Sequence, residues 1–195
     1  KFMGLVDYLA LNNFELLGGT ISINNNLDWN LKSEGQMYDL DLKILIEALD
    51  LEVGTYRLLQ GTLDAHLGGW GTLQNRKPAI MTWQHIDIGV PVENTRTTFD
   101  MSLGDTNFTI FGQTFDAEVL GGHISSHSFN YDVMNGTGAV NLILDEVELN
   151  QILALQQEDF ESSGKISGSV PVQIDKGKLS VSKGTISAIE PGGYI

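Results

Sequence analysis

The chain contains no cysteine. Disulfides, thiolate catalysis and cysteine-ligated zinc are therefore excluded, and no redox compartment is implied. Bases are scarce: 11 lysines and arginines face 25 acids, giving a net charge of −14. That field repels nucleic acid and anionic membrane surfaces, and no cluster of bases offsets it. Only 4 prolines occur in 195 residues, and no proline-rich linker divides the chain. No apolar run approaches the roughly 20 residues of a membrane-spanning helix, and no signal peptide is visible. Hydrophobic content is an ordinary 42%, enough for one domain or one long sheet with its own core. The opening "KFMGLVDYLALNNFELLGG" reads as the interior of a longer protein, so any targeting or anchoring segment is expected outside these residues.

What the chain does have is a period of two. "GTISINNNLDWNL" puts Ile21 and Ile23 on one face, and Leu27, Trp29 and Leu31 keep that parity. "MYDLDLKILI" sets Tyr38, Leu40, Leu42, Ile44 and Ile46 against Asp39, Asp41 and Lys43. Phe108 and Ile110, then Phe115, Ala117 and Val119, alternate in the same way. So do Phe129, Tyr131 and Val133, and Val140, Leu142 and Leu144. Alternation of this kind marks strands with one buried and one wet face. The run 42–51 alternates at its start while its end also fits a helix; strand is the preferred reading. A loose repeat, with Gly followed by a small polar and then a branched apolar residue, places Gly19, Gly61, Gly122, Gly168 and Gly184 at irregular intervals. Its spacing excludes a fixed-period solenoid. It reads as one device reused: a glycine entering a strand where the chain bends or another backbone approaches.

One helix is expected near 147–157, from Leu149, Ile152 and Leu153 at three-and-four spacing. Asp145, Glu146 and Glu148 would stand at its favourable N-terminal end. "GGWGTLQNRKPA", residues 68–79, reads as a long loop. The fold class is thus all-β: an elongated, mostly antiparallel sheet with one short helix. An ~11-residue helix is only ~16 Å long and cannot cover such a sheet. The sheet must either fold onto itself as a sandwich or barrel, or leave its inner face partly open to a ligand.

Candidate catalytic chemistry is thin. His123 and His127 have a zinc-like spacing, but residues four apart on a strand lie ~13 Å apart, too far for one ion. His66 beside Asp64, and His85 beside Asp87, lack a nucleophile elbow to serve. Asp39 and Asp41 share a face that reads as solvated. Trp29, Trp70 and Trp83 read as core or rim aromatics. No catalytic residue, metal ligand or cofactor is assigned.

The C-terminal stretch "GKISGSVPVQIDKGKLSVSKGTISAIEPGGYI" resembles the C-terminal signature of YdbH-type proteins, members of the AsmA-like group. "HIDIGVPVENTRTTFDM", the glycine motif "FDAEVLGGHISSHSFNYD" (115–132) and "AVNLILDEVELNQILALQQ" agree in order along the chain. The resemblance is strongest over 85–195 and looser over 1–84. It implies a single periplasmic segment, 1–195, of a longer protein anchored in the inner membrane by an N-terminal helix. It implies a curled sheet whose apolar groove carries phospholipid acyl chains towards the outer membrane. The groove lining expected from parity is Ile21, Ile23, Leu40, Leu42, Ile44, Phe108, Ile110, Phe115, Val119, Val140, Leu142, Val170, Val172 and Ile174. The resemblance also implies a small outer-membrane lipoprotein partner that adds a strand at the C-terminal end (strands within 164–190). The edge residues offered there are Leu179, Val181, Ile186 and Ala188. Lys176-Gly177 and Lys183-Gly184 read as two chain reversals, and Pro171 as the mark of an edge or bulged strand. A closed β-sandwich that binds an envelope protein without conducting lipid is the alternative. A dicarboxylate-binding module comes last, because Arg57, Arg76 and Arg96 are scattered rather than clustered.

Overall fold

The computed structural model describes residues 14–32, 35–155, 162–176, 178–190 and 192. The expected positions 1–13 and 156–161 lie outside them, as do the side chains of Trp29, Leu31 and Tyr38. The strands are β1 (Phe14–Lys32), β2 (Gly35–Val53), β3 (Tyr56–Gly69), β4 (Leu73–Asp87), β5 (Pro91–Leu103), β6 (Phe108–Val119), β7 (Gly122–Ser126), β8 (Phe129–Asp132), β9 (Thr137–Glu148), β10 (Lys165–Asp175), β11 (Lys178–Val181) and β12 (Thr185–Ala188). They form one 12-stranded sheet, and every pairing is antiparallel. Neighbours in sequence are neighbours in space. β7 and β8 share the lane between β6 and β9, and β11 and β12 share the far edge of β10. Among the described residues β1 pairs only with β2, so the sheet is open. It is not a two-sheet sandwich.

Strands of 12–19 residues exceed the usual 3–10, and they are not straight. Register shifts occur around Leu17–Gly19, Ala48, Asn94 and Glu146. Ala48, Gln60, Asn94 and Glu146 adopt positive φ (50 to 53°), a conformation non-glycine residues take only when held there. Followed from pair to pair, these positions lie side by side from β1 to β10. They form a crease that crosses the sheet. Gly19, Gly61, Gly122 and Gly168 of the repeat mark the same line, while Gly184 lies in the break between β11 and β12. Gly61 lies under the ring of Trp83, and a Cβ at Gly122 would stand 2.5 Å from the Val147 nitrogen. At Gly19 (φ +128°) it would stand 2.9 Å from Leu49 Cα. The repeat is therefore a set of close approaches, as its composition foretold.

A second row of irregularities runs parallel to the first. It includes the extra residue Gln113 in β6, the gap at 127–128 between β7 and β8, and the gap at 182–184 between β11 and β12. The sheet curls over these rows. Flat, Met81 of β4 and Ile174 of β10 would sit five strands, about 24 Å, apart at about 4.8 Å per strand. Both line a single cavity of ≈ 350 Å³.

Three sequence expectations are corrected. Residues 73–79 are not loop but the start of β4. Gly68 is there because the Arg76 guanidinium lies across it, and Pro78 sits in a bulge where β4 carries extra residues against β5. The helix is only α1 (Leu149–Ala154), and no side chain caps it. Asp145 and Glu146 belong to β9 instead: Asp145 pairs with His123, and Glu146 bonds Lys165 at 2.6 Å. Among the described C-terminal residues the chain reverses once, between Asp175 and Lys178, which pair. Lys183-Gly184 is no reversal, because β11 and β12 run on along the same strand. Pro171 lies in an inner strand, flanked on both sides. Its carbonyl accepts from Ser182 N (3.1 Å). Residues in an antiparallel ladder point N–H and C=O to the same side, so the N–H that proline lacks is missing on that side, opposite the break.

Candidate functional site

The two faces of the sheet differ in kind. Cross-strand pairs on the concave face run in apolar rungs. One reads Leu16, Leu51, Leu58, Ile86, Val92, Val119 and Gly122, each opposite the next. Another reads Ile21, Ile46, Leu63, Met81, Thr97, Phe115 and Ser126. A third joins Met101, Ile110, Tyr131, Gly138, Ile174 and Leu179. No charged side chain stands in these rungs. The bulges make this possible: Gln113 is an extra outward residue, so Ile110 and Gly112 share the inner face with Phe115 despite opposite parity.

The convex face carries the charge. Thr62 pairs with Thr82 (2.7 Å) and Thr98 with Thr114 (2.6 Å). Arg76 Nη2 donates to both oxygens of Asp39 (2.8 and 2.7 Å), and its Nε lies 3.3 Å from Asp41. His66 bonds Asp41 (2.5 Å), not Asp64, which takes Lys77 (2.9 Å). His85 bonds Glu93 (2.6 Å), not Asp87. His123 bonds Asp116 (2.9 Å), with His127 exposed beyond it. The histidine–acid pairs are therefore cross-strand ties rather than the sequence neighbours. The Asp39–Asp41 face is tied down rather than simply solvated. The His66 hydrogen bond holds the Asp41 carboxyl below its ordinary 3.8, with help from the charges of His66 and Arg76. Lys165 lowers the Glu146 carboxyl, and is itself raised by it. Among the described residues no group of three or more His, Asp or Glu is placed to hold a metal, and no helix is long and apolar enough to cross a membrane.

The concave face is open at one end and filled in the middle. Ile21 and Ile23, on edge strand β1, are 53% and 58% exposed. Leu40, Leu42 and Ile44 are half-buried beside them. In the middle, Ala65, Ala79 (0% exposed) and Phe99 form the core, with Ile44, Leu63, Met81, Met101, Ile110 and Phe129 packed on it. Next to this core lies the ≈ 350 Å³ cavity, lined by Met81, Thr97, Phe99, Ile110, Phe115, Phe129, Asn130, Tyr131, Ala139, Val140, Leu142 and Ile174. Five residues expected from parity thus meet in one place: Ile110, Phe115, Val140, Leu142 and Ile174. Val170 and Val172 continue the concave face along β10, opposite Leu142 and Val140. Val119 belongs to the rung beyond the crease, and Phe108 lies half-buried opposite Leu103. Leu179, Val181, Ile186 and Ala188 are all exposed on the final edge. The reading from parity missed the lining from β3 to β5: Leu63, Met81 and Phe99 above all. The alternation Leu63, Ala65, Leu67 and the run Ala79, Met81, Trp83 would have revealed it.

A single curled sheet thus carries its charge on the convex face and an apolar, charge-free hollow on the concave one. The family model described as "YdbH-like: Intermembrane phospholipid transport protein YdbH" matches residues 9–195, and the chain belongs to that family. No curated protein and no solved structure matches the chain.

Proposed function

We propose that this chain is a periplasmic bridge segment that carries phospholipid acyl chains between the inner and outer membranes along its concave face. The observation that carries the reading is the apolar hollow of Ile110, Phe115, Leu142 and Ile174, continuous by strand register with the exposed apolar stripe of β1. Each buried CH₂ contributes about 0.8 kcal/mol, so a 16-carbon tail gains on the order of 10 kcal/mol before ordering costs. With no charge in the rungs, that gain changes little from rung to rung. Tails can slide without a deep trap while the headgroup stays in water. The membership in an intermembrane phospholipid transport family supports the cargo. In this reading a helix outside these residues anchors the intact protein in the inner membrane. A small outer-membrane lipoprotein adds a strand to the edge formed by β11 and β12.

Adjacent residues test the groove. A photocrosslinking side chain at Ile110 faces the hollow, whereas one at Phe111 faces the other way, 53% exposed on the convex side. In cells, phospholipid adducts are expected from Ile110 and from Leu42, and not from Phe111. Equal labelling at Ile110 and Phe111 would sink the groove.

A further inference from the structure

The last edge of the sheet has the wrong sign for this protein. Residues 162–195 hold four lysines against two acids, while the rest of the chain holds 23 acids against seven bases. Several cations are engaged: Arg57 with Glu52, Arg76 with Asp39 and Asp41, Lys77 with Asp64, Lys165 with Glu146, while Lys43 and Arg96 stand singly on strands rich in acids. Lys176, Lys178 and Lys183 differ in standing together at one edge. All three are exposed, and among the described residues their side chains make neither an ion pair nor a hydrogen bond. Lys178 opens β11 opposite Asp175, on the polar face of a strand whose Leu179 and Val181 continue the concave rungs. Lys183 stands in the break opposite Val170 and Pro171.

Resting on the strand-addition reading above, we propose that this edge selects its partner by charge. The occupant is an amphipathic strand with apolar residues on the concave side and carboxylates facing Lys178 and Lys183. Lysines on an exposed edge discourage pairing with neutral or basic edges, and opposite charges across a strand pair are favourable. A second copy of this chain does not fit. The two lysines are five residues apart, about 17 Å at about 3.4 Å per residue. The acids in the sequence of β1, which among the described residues pairs only with β2, are Glu15 and Asp28, 13 residues apart, about 44 Å on the same scale.

The test uses the intact chain and labelled peptides in which valine alternates with glutamate, serine or lysine. Fluorescence anisotropy gives affinity at low and high salt, and a photocrosslinker at Ser180 reports the position. The glutamate peptide is expected to bind about five- to tenfold more tightly than the serine peptide at low salt, with the difference fading as salt screens it. Lys178→Gln with Lys183→Gln should erase the preference, and Lys178→Glu with Lys183→Glu should transfer it to the lysine peptide. If the serine peptide crosslinks at Ser180 and binds as tightly as the glutamate peptide, strand addition stands and charge selection is overturned. If no peptide crosslinks there, strand addition itself fails and takes this proposal with it.

Discussion

Two glycines on the same crease are expected to respond to alanine in opposite directions. At Gly122 a Cβ would stand 2.5 Å from the Val147 nitrogen and 2.6 Å from Glu146 C and Val147 Cα. Ordinary carbon contacts are about 3.5–4.0 Å, so the backbones of β7 and β9 must part by about 1 Å. All three obstacles are backbone, and no rotamer change relieves them. They adjoin the only three cross-strand pairs that join β7 to β9. Overpacking of this kind costs about 1–3 kcal/mol. At Gly18 the nearest atom is Asp50 Oδ2 at 3.8 Å, and φ is not left-handed. There alanine fits, and restricting the unfolded chain stabilises by about 0.4–1 kcal/mol. For a chain of this size 1 kcal/mol moves Tm by about 2–4 °C. Thermal unfolding followed by circular dichroism should therefore show Gly122→Ala lower by about 2–12 °C and Gly18→Ala higher by about 1–4 °C. A Gly122→Ala protein that melts at or above the parent temperature would refute the close-approach account of the crease.

Other outcomes follow from single contacts. Thr95 Oγ1 is buried without a hydrogen-bond partner; the near-isosteric Thr95→Val should raise the urea midpoint by the equivalent of about 1–3 kcal/mol. Asp41 has a depressed pKa, so its tie to His66 stabilises above pH 3.8 and is lost as pH falls through the folded value. The urea midpoints of the parent and Asp41→Asn should differ at pH 6 and converge in acid. Lys165 is raised above 10.5, so its pair with Glu146 stabilises below that pH and is lost as pH rises through the folded value; Lys165→Met should lose its deficit in strong alkali. Pro171→Ala restores an N–H facing residues 182–184 that can donate to a carbonyl there, and the Ser182 N–H already bonded to the 171 carbonyl should exchange more slowly.

Much of this architecture was legible because burial on one face writes a period of two into the sequence. β1, β2, β6, β9 and β10 stood out from their alternation. The errors came where the sheet departs from that period. The helix expected from Leu149, Ile152 and Leu153 overran into β9, which ends only at Glu148, and a bulge at Glu146 sets Leu144 and Val147 on one face three residues apart, off the period of two. Glycines and a proline at 68–79 imitate a loop, although Gly68 makes room for a side chain and Pro78 sits in a bulge. Partners such as His66 and Asp41 are 25 residues apart and meet only through register. The glycine repeat was readable as a device, but its alignment into a crease needed the pairing of every strand.

The bulges also decide how such a sheet can change over generations. Removing one residue from a regular strand turns everything beyond it inside out, sending valines to water and acids into the hollow. Removing Gln113 does not: Gly112 would still point in, Thr114 out and Phe115 in, and the strand would merely straighten. The same holds in reverse for inserting a residue at such a point. The creases are therefore the places where the trough can gain or lose curvature by single-codon insertions and deletions while its lining stays apolar.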